Sequence, residues 1–358
     1  MPFLPRIPGM KRFLTRTAIG SLPVVAVLCL CVYYFYNIHP YLNGDLGRLG
    51  RIAFDANYNI VHHRDPFPGS RMVRDYHDGD TLTRVITIGD SFSQQDSLGY
   101  QNALGNLLGE TVTNIPVPSA TSGPVEQSVA LLRSGFFDRN KGAEYIIFEL
   151  VERDFTEHLS EINEAKVSAS PVTFPSTPAQ SAPPAAENLV ASIVHQGVDW
   201  LRLVTGLEHN PVRHVSLTQP LFTQPGRENM LYFYKNDLSP LGASPEQWQA
   251  MRANIEMLHE EFGRRGLKMI FLVIPDKYEV YQNYAEPGVW PLKPFGREML
   301  DALAPLPYVV QVLPEAKARL AAGEKDLYLA DDSHWGAKGS MMTARLLLPR
   351  VTPTDSVR

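Results

Sequence analysis

Apolar positions along the chain fall into two rhythms that alternate from about residue 82 to residue 348. Short runs of β-formers at 82–88, 111–115, 145–151, 268–274 and 308–312 predict strands, and 145–151, apolar nearly throughout, one buried on both faces. Between them, apolar residues recur at three and four positions. That spacing predicts helices over 98–108, 123–132, 314–322 and 336–348. Ser122 is placed to cap the second of these, with Pro124 near its first turn. The clearest helix follows Ser244. Ser244 and Gln247 have capping-box spacing, Pro245 opens the helix, and Trp248, Met251, Ile255, Leu258 and Phe262 form one stripe. Gly266 is placed to end it in a left-handed turn. Strand and helix in alternation predict an α/β domain with a doubly wound parallel sheet.

Two stretches break the pattern. Residues 39–80 are polar and read as a connection, so the domain is expected at 81–352 with an insertion at about 156–230. Within that insertion, residues 168–184 are mostly Pro, Ser and Ala, which predicts a mobile surface segment. Residues 187–207 are loosely periodic and predict an insertion helix.

The N-terminus has a third pattern. Residues 18–38 carry no charge, and Arg6, Lys11, Arg12 and Arg16 precede them. The length suits a transmembrane anchor, and the basic flank predicts a cytoplasmic tail at 1–17 with the remainder exported. Tyr33, Tyr34 and Tyr36 fall where an interfacial belt belongs. No small-x-small cleavage site follows the run, so an uncleaved anchor is preferred to a signal peptide. Cys29 and Cys31 both lie in this run, which excludes disulfides and thiolate metal sites from the exported part. The net charge of −5 gives no footprint for nucleic acid.

The candidate chemistry begins where the strand at 82–88 runs into Gly89-Asp90-Ser91. Turn formation alone accounts for those residue types. A serine at the carboxyl edge of a parallel sheet is also where a nucleophile belongs. A nucleophilic serine needs a base held by a carboxylate. His334 enters the last helix just after Asp331 and Asp332, so its loop can meet that of Ser91 at one edge. The other histidines show no ligand spacing, no metal site is expected, and no phosphate or dinucleotide fingerprint occurs, so no cofactor is implied.

A Gly-Asp-Ser block first and an Asp-x-x-His block last resemble the SGNH (GDSL-type) hydrolase superfamily. The variant Asp332-Ser333-His334-Trp335 looks like the Asp-x-His-Trp signature of the SGNH domains of alginate and related exopolysaccharide O-acetyltransferases. The stretches FELVERDF from Phe148 and IPDKYEVY from Ile274 are similar to the same branch. The order differs from several acetyltransferase relatives, in which the Asp-x-His block precedes the serine. The oxyanion asparagine of the superfamily is replaced by Arg153.

The resemblance implies a catalytic set of Ser91, His334 and Asp332, with Asp331 as the alternative carboxylate. It implies oxyanion or substrate roles for Gly123 and Arg153. Lys277, Tyr281 and Trp335 are added as candidates at the same edge. Together with the anchor read from the N-terminus, the resemblance implies an exported, inner-membrane-anchored O-acetyltransferase. The acceptor would be a polysaccharide, and a membrane-bound O-acyltransferase partner would supply the acetyl group. An SGNH esterase with the same residues, and a non-catalytic polysaccharide-binding assembly subunit, remain open at this point. The domain from Arg51 onward is expected to suffice for transfer.

Overall fold

In the computed structural model, described here for residues 10–33, 44–46, 69–118, 122–176, 211–238, 243–291 and 302–352, the buried runs pair side by side. The strands are β1 (Val73–Asp75), β2 (Val85–Ile88), β3 (Val112–Asn114), β4 (Tyr145–Val151), β5 (Val212–Ser216), β6 (Met230–Tyr234), β7 (Lys268–Ile274) and β8 (Val309–Gln311). Six form one sheet in the order β1-β3-β2-β4-β7-β8, with every pairing parallel. β5 and β6 form a separate antiparallel ribbon. The strands run roughly as the pattern predicts, trimmed by a few residues at their ends.

Alternate side chains of each strand enter two cores. Tyr145, Ile147 and Val151 face one, and Ile146, Phe148 and Leu150 the other. The helices used below are α1 (Met10–Tyr33), α2 (Tyr100–Leu108), α3 (Pro124–Arg133), α4 (Phe155–Leu159), α5 (Pro245–Gly263), α6 (Lys277–Tyr281), α7 (Leu313–Ala321) and α8 (Ala337–Val351). α3 and α5 cover one face; α2, α7 and α8 contribute to the other. This is the doubly wound α/β arrangement.

α5 has the capping box foreseen for it: Gln247 N donates to Ser244 Oγ at 3.3 Å and Ser244 N to Gln247 Oε1 at 2.8 Å. Its buried stripe is Met251, Ile255, Leu258 and Phe262. Gly266, at φ +78°, turns the chain into β7.

Three sequence expectations need correction, and a fourth is not supported by the described helices. First, β1 lies inside the stretch read as a polar connection. It is the edge strand of the sheet, so the folded unit starts before residue 81. Gly44–Leu46 also packs inward, with Leu46 buried beside Val212 and Tyr232. Second, α3 is capped by Gly123 rather than Ser122. Third, the front of the Pro/Ser/Ala stretch is packed. Phe174 is buried edge-on to Tyr76, its amide donates to Asp78 Oδ2 at 3.0 Å, and Pro171 O accepts from Gln127 Nε2 at 2.7 Å. One aromatic ring is enough to pin a segment that composition alone assigns to solvent. The remainder of that stretch, and the insertion helix at 187–207, lie outside the described residues.

Fourth, no helix among the described residues is long and apolar enough to cross a membrane. α1 starts with Lys11, Arg12 and Arg16 inside it. Its charge-free part runs from Thr17 to Tyr33, about 25 Å at 1.5 Å per residue. That falls short of a hydrocarbon core of about 30 Å. The expected span continues to Ile38, beyond the described part of the helix.

Candidate active site

The sheet order reverses at β2, since β3 lies on one side of it and β4 on the other. The loops leaving β2 and β4 therefore diverge and open a crevice at their carboxyl ends, where open α/β sheets bind ligands. Gly89-Asp90-Ser91 leaves β2 at this point. Ser91 starts a short 3-10 turn, Ser91–Gln94, and is exposed. Asp90 caps the turn, accepting from Phe92 N at 2.9 Å through Oδ1. Its Oδ2 accepts from Val151 N at 2.8 Å, which ties the serine turn to the end of β4.

Beneath the turn lies a buried polar group that the motif reading missed. Ser93 Oγ donates to Glu149 Oε2 at 2.8 Å and lies 3.0 Å from Tyr100 Oη. Burial, and then the charge of Asp90, hold the Glu149 carboxyl well above the ordinary range. A Cβ on Gly89 would come within 2.2 Å of Glu149 Oε2 and 2.3 Å of Ser93 Oγ. The glycine of the Gly-Asp-Ser block is thus required by this close approach. The signal was present in the sequence: a glutamate in the middle of a strand otherwise apolar throughout.

His334 belongs to a loop closed by the Tyr328–Trp335 bridge and by Gly336 N donating to Leu327 O at 2.8 Å. His334 Nδ1 lies 2.5 Å from Asp332 Oδ1, which also accepts from His334 N at 3.1 Å. Of the two neighbouring aspartates, Asp332 is the one that holds the imidazole. His334 Nε2 is buried without a hydrogen-bond partner. Burial pulls the imidazole down in pKa, and Asp332, followed by Asp45, raises it above its usual value on balance.

The serine and histidine blocks meet through Phe92. Its ring centroid is 4.9 Å from that of His334, 5.8 Å from Trp335 and 6.3 Å from Tyr328. Gln95 Nε2 donates to Trp335 O at 3.0 Å, and Ser340 Oγ to Leu98 O at 2.6 Å, fastening the same two segments. Ser91 Oγ itself makes no hydrogen bond to His334 in this arrangement.

The remaining expected site residues are engaged elsewhere. Lys277 is fully buried, and its Nζ donates to Leu329 O at 2.7 Å, Ala330 O at 3.0 Å and Asp332 O at 3.0 Å. All three N–H bonds therefore hold the histidine loop. Burial lowers its pKa to about 8, against the opposing pull of Asp331, Asp332 and Asp45, so it keeps its proton at neutral pH. Tyr281 is in the core, stacked on Phe222 and accepting from Tyr328 N at 3.2 Å. Trp335 is buried between Phe92 and Tyr328 and packs rather than presenting a face to a sugar. The expectation that Lys277, Tyr281 and Trp335 touch substrate is corrected on these grounds.

Gly123 and Arg153 are corrected likewise. Gly123 N donates to Glu126 Oε2 at 3.2 Å, so this amide serves the helix cap and not an oxyanion. A glutamate three residues after the N-cap, the acceptor half of a capping box, was legible in the sequence. Arg153 Nη1 lies 3.4 Å from Asp276 Oδ1 and 3.8 Å from Asp237 Oδ1, both fully buried, and its guanidinium sits 5.2 Å over the Tyr234 ring. Burial lowers its pKa, and the two carboxylates raise it further than burial lowers it.

Residues 223–357 match the family model of the SGNH hydrolase-like domain of the acetyltransferase AlgX. The AlgX match covers Lys277, Asp332 and His334 and stops short of Ser91, so it accounts for less than half of the chain. It bears out the SGNH resemblance read from the motifs, and with it acyl transfer or acyl-ester hydrolysis as the class of chemistry. No curated protein matches the chain.

Proposed function

We propose that this chain is an O-acetyltransferase of the AlgX type, exported and anchored at the outer side of a bacterial inner membrane. The observation that carries the reading is the pair of ring nitrogens of His334. Nδ1 is fixed on Asp332, and Nε2 is left without a partner at the sheet edge where Ser91 emerges. That is what a general base requires: one nitrogen held to set the tautomer, the other open to take a proton.

In this reading Ser91 Oγ attacks the carbonyl carbon of an acetyl ester while its proton passes to His334 Nε2. The carbonyl oxygen becomes an oxyanion, met by the backbone amide of Ser91 at the start of its turn. Collapse expels the alcohol of the donor, which takes the proton from His334. A sugar hydroxyl then repeats the steps on the acetyl-serine and leaves as the acetylated sugar. The reading requires Ser91 Oγ and His334 Nε2 to come within hydrogen-bonding reach, and the contact of Phe92 with His334 places their two loops side by side. Beside the turn lies a cleft of about 550 Å³ lined by Gln94, Asn114, Val117 and Tyr76.

The membrane reading rests on α1. Ile19, Leu22, Val24, Val27, Leu28 and Leu30 are all exposed on it, and the charge-free run of the sequence goes on past Tyr33 to Ile38, which is the length a span needs. A membrane-bound O-acyltransferase is the partner this placement calls for, because the acetyl group has to cross the bilayer. The exposure of Ser91 favours one second reading, an esterase, since water reaches the serine as readily as a sugar does.

The test is paired. Ser91→Ala in the producing cell is expected to abolish acetylation of a surface or secreted glycan and leave its synthesis intact. The full chain is expected to move acetyl from an activated ester to an oligosaccharide faster than to water. Rapid hydrolysis with no acetylated sugar would make it an esterase, and an unchanged glycan would remove the enzyme reading.

A further inference from the structure

The segment ahead of the domain reaches into the histidine loop. Asp45 Oδ1 accepts from Ser333 N at 2.7 Å, and Asp45 Oδ2 accepts from Ser333 Oγ at 2.5 Å and from Tyr234 Oη at 2.9 Å. Ser333 lies between Asp332 and His334, so these bonds clamp the link between the two members of the pair. A carboxylate oxygen of Asp45, one of Asp332 and a ring nitrogen of His334 all lie within 4.8 Å of one another. The neighbours of Asp45 are built for the contact. A Cβ on Gly44 would meet Asp331 O at 2.0 Å, and Leu46 is buried with Val212 and Tyr232.

We propose that Asp45 is a positioning residue for His334, so that the site is complete only while the segment at residues 44–46 is docked on the histidine loop. Two physical effects follow. The carboxylate fixes Ser333, and through it the angle at which Asp332 meets the imidazole. It also adds a second negative charge facing the imidazole. The charged groups acting on His334 are Asp332 on its own loop, Asp45 from the N-terminal segment, and Arg153 after β4, which opposes the acids; Asp331 on the same loop acts on Lys277. Lys277 on α6 binds the loop carbonyls, and Tyr234 on β6 shares the Asp45 carboxylate. A chain beginning at Arg51 lacks Asp45 and Leu46, so the expectation that such a chain suffices is withdrawn. The segment that carries Asp45 also leads back to α1, so the same residues that complete the site connect it to the proposed anchor.

The catalytic part of this inference rests on the proposed serine chemistry; the effect on His334 does not. The experiment uses the full chain in detergent, as wild type, Asp45→Asn and Asp45→Ala, and reads two quantities. The first is the titration of His334, followed by NMR on histidine-labelled protein. Asp45→Asn is expected to lower its midpoint, because a charge that stabilises the imidazolium is gone. The second is the pH profile of inactivation by a fluorophosphonate. A base acts when neutral, so a lower midpoint shifts the acid limb of the profile to lower pH. Asp45→Ala, which also frees Ser333, is expected to slow the plateau rate by about ten- to a hundredfold. If Asp45→Ala fails to fold, Asp45→Asn alone decides. An unchanged His334 midpoint in Asp45→Asn overturns the inference. A wild type that fluorophosphonate never labels overturns the serine reading instead, while the His334 titration still decides on Asp45.

Discussion

The Phe92 ring stands 4.9 Å from the imidazole of His334, and this contact joins two blocks that are 242 residues apart along the chain. Phe92 is fully buried and is the residue next to Ser91. It therefore sets where the serine turn sits relative to the base. Phe92→Ala is expected to cost roughly 3–5 kcal/mol of stability, as buried aromatic truncations do. Phe92→Leu, which keeps most of the volume, is expected to cost far less. Urea unfolding of both variants checks this. Equal small losses would mean that the two blocks are held together by other contacts.

Asp332, not Asp331, bonds the imidazole. Asp332→Asn is expected to lower acyl-ester turnover far more than Asp331→Asn. In one well-studied serine triad such a change costs about 10⁴ because the tautomer is wrong. Turnover of an aryl acetate by the two variants decides between them, and a greater loss at Asp331 would reverse the assignment.

Glu149 is buried in the central strand with its carboxyl held above the ordinary range by burial and by Asp90. The folded protein therefore keeps a proton that the unfolded chain gives up once the pH passes the usual glutamate range. Stability falls as pH rises through that window. Glu149→Gln removes this penalty and can keep the bond to Ser93. It is expected to melt higher than wild type at pH 7, with the difference gone near pH 4. Thermal midpoints at the two pH values test the sign. A lower midpoint for Glu149→Gln at pH 7 would mean that the carboxylate is ionised and needed.

Lys277 spends its three N–H bonds on Leu329, Ala330 and Asp332. Lys277→Met leaves three carbonyls without their donor, and the histidine loop loses its internal support. Turnover is expected to fall at least tenfold with KM changed little, since the side chain is buried away from substrate. A rise in KM with turnover intact would return Lys277 to a substrate-binding role.

The fold was legible because parallel strands buried on both faces are apolar nearly throughout, and the capping box of α5 marks its own start. The pair of Asp332 and His334 was legible because both members sit in one short motif. Asp45 was not, since its bond to Ser333 spans 288 positions in sequence and its surroundings are polar. Neither was the direction of Lys277. A lysine just past a buried strand can point into solvent or into a loop, and only the three carbonyls waiting for it decide. Gly123 was misread for a different reason. Its amide looked available in a family pattern, while the glutamate three residues on had already claimed it.

In the proposed reaction Ser91 becomes a nucleophile through His334. Covalent labelling of the full chain with a fluorophosphonate, mapped by mass spectrometry, reads this step alone. One adduct is expected, on Ser91, formed at least a thousandfold more slowly in His334→Ala, in line with removal of a triad base. No adduct on Ser91, or the same rate with and without the imidazole of His334, would rule the step out.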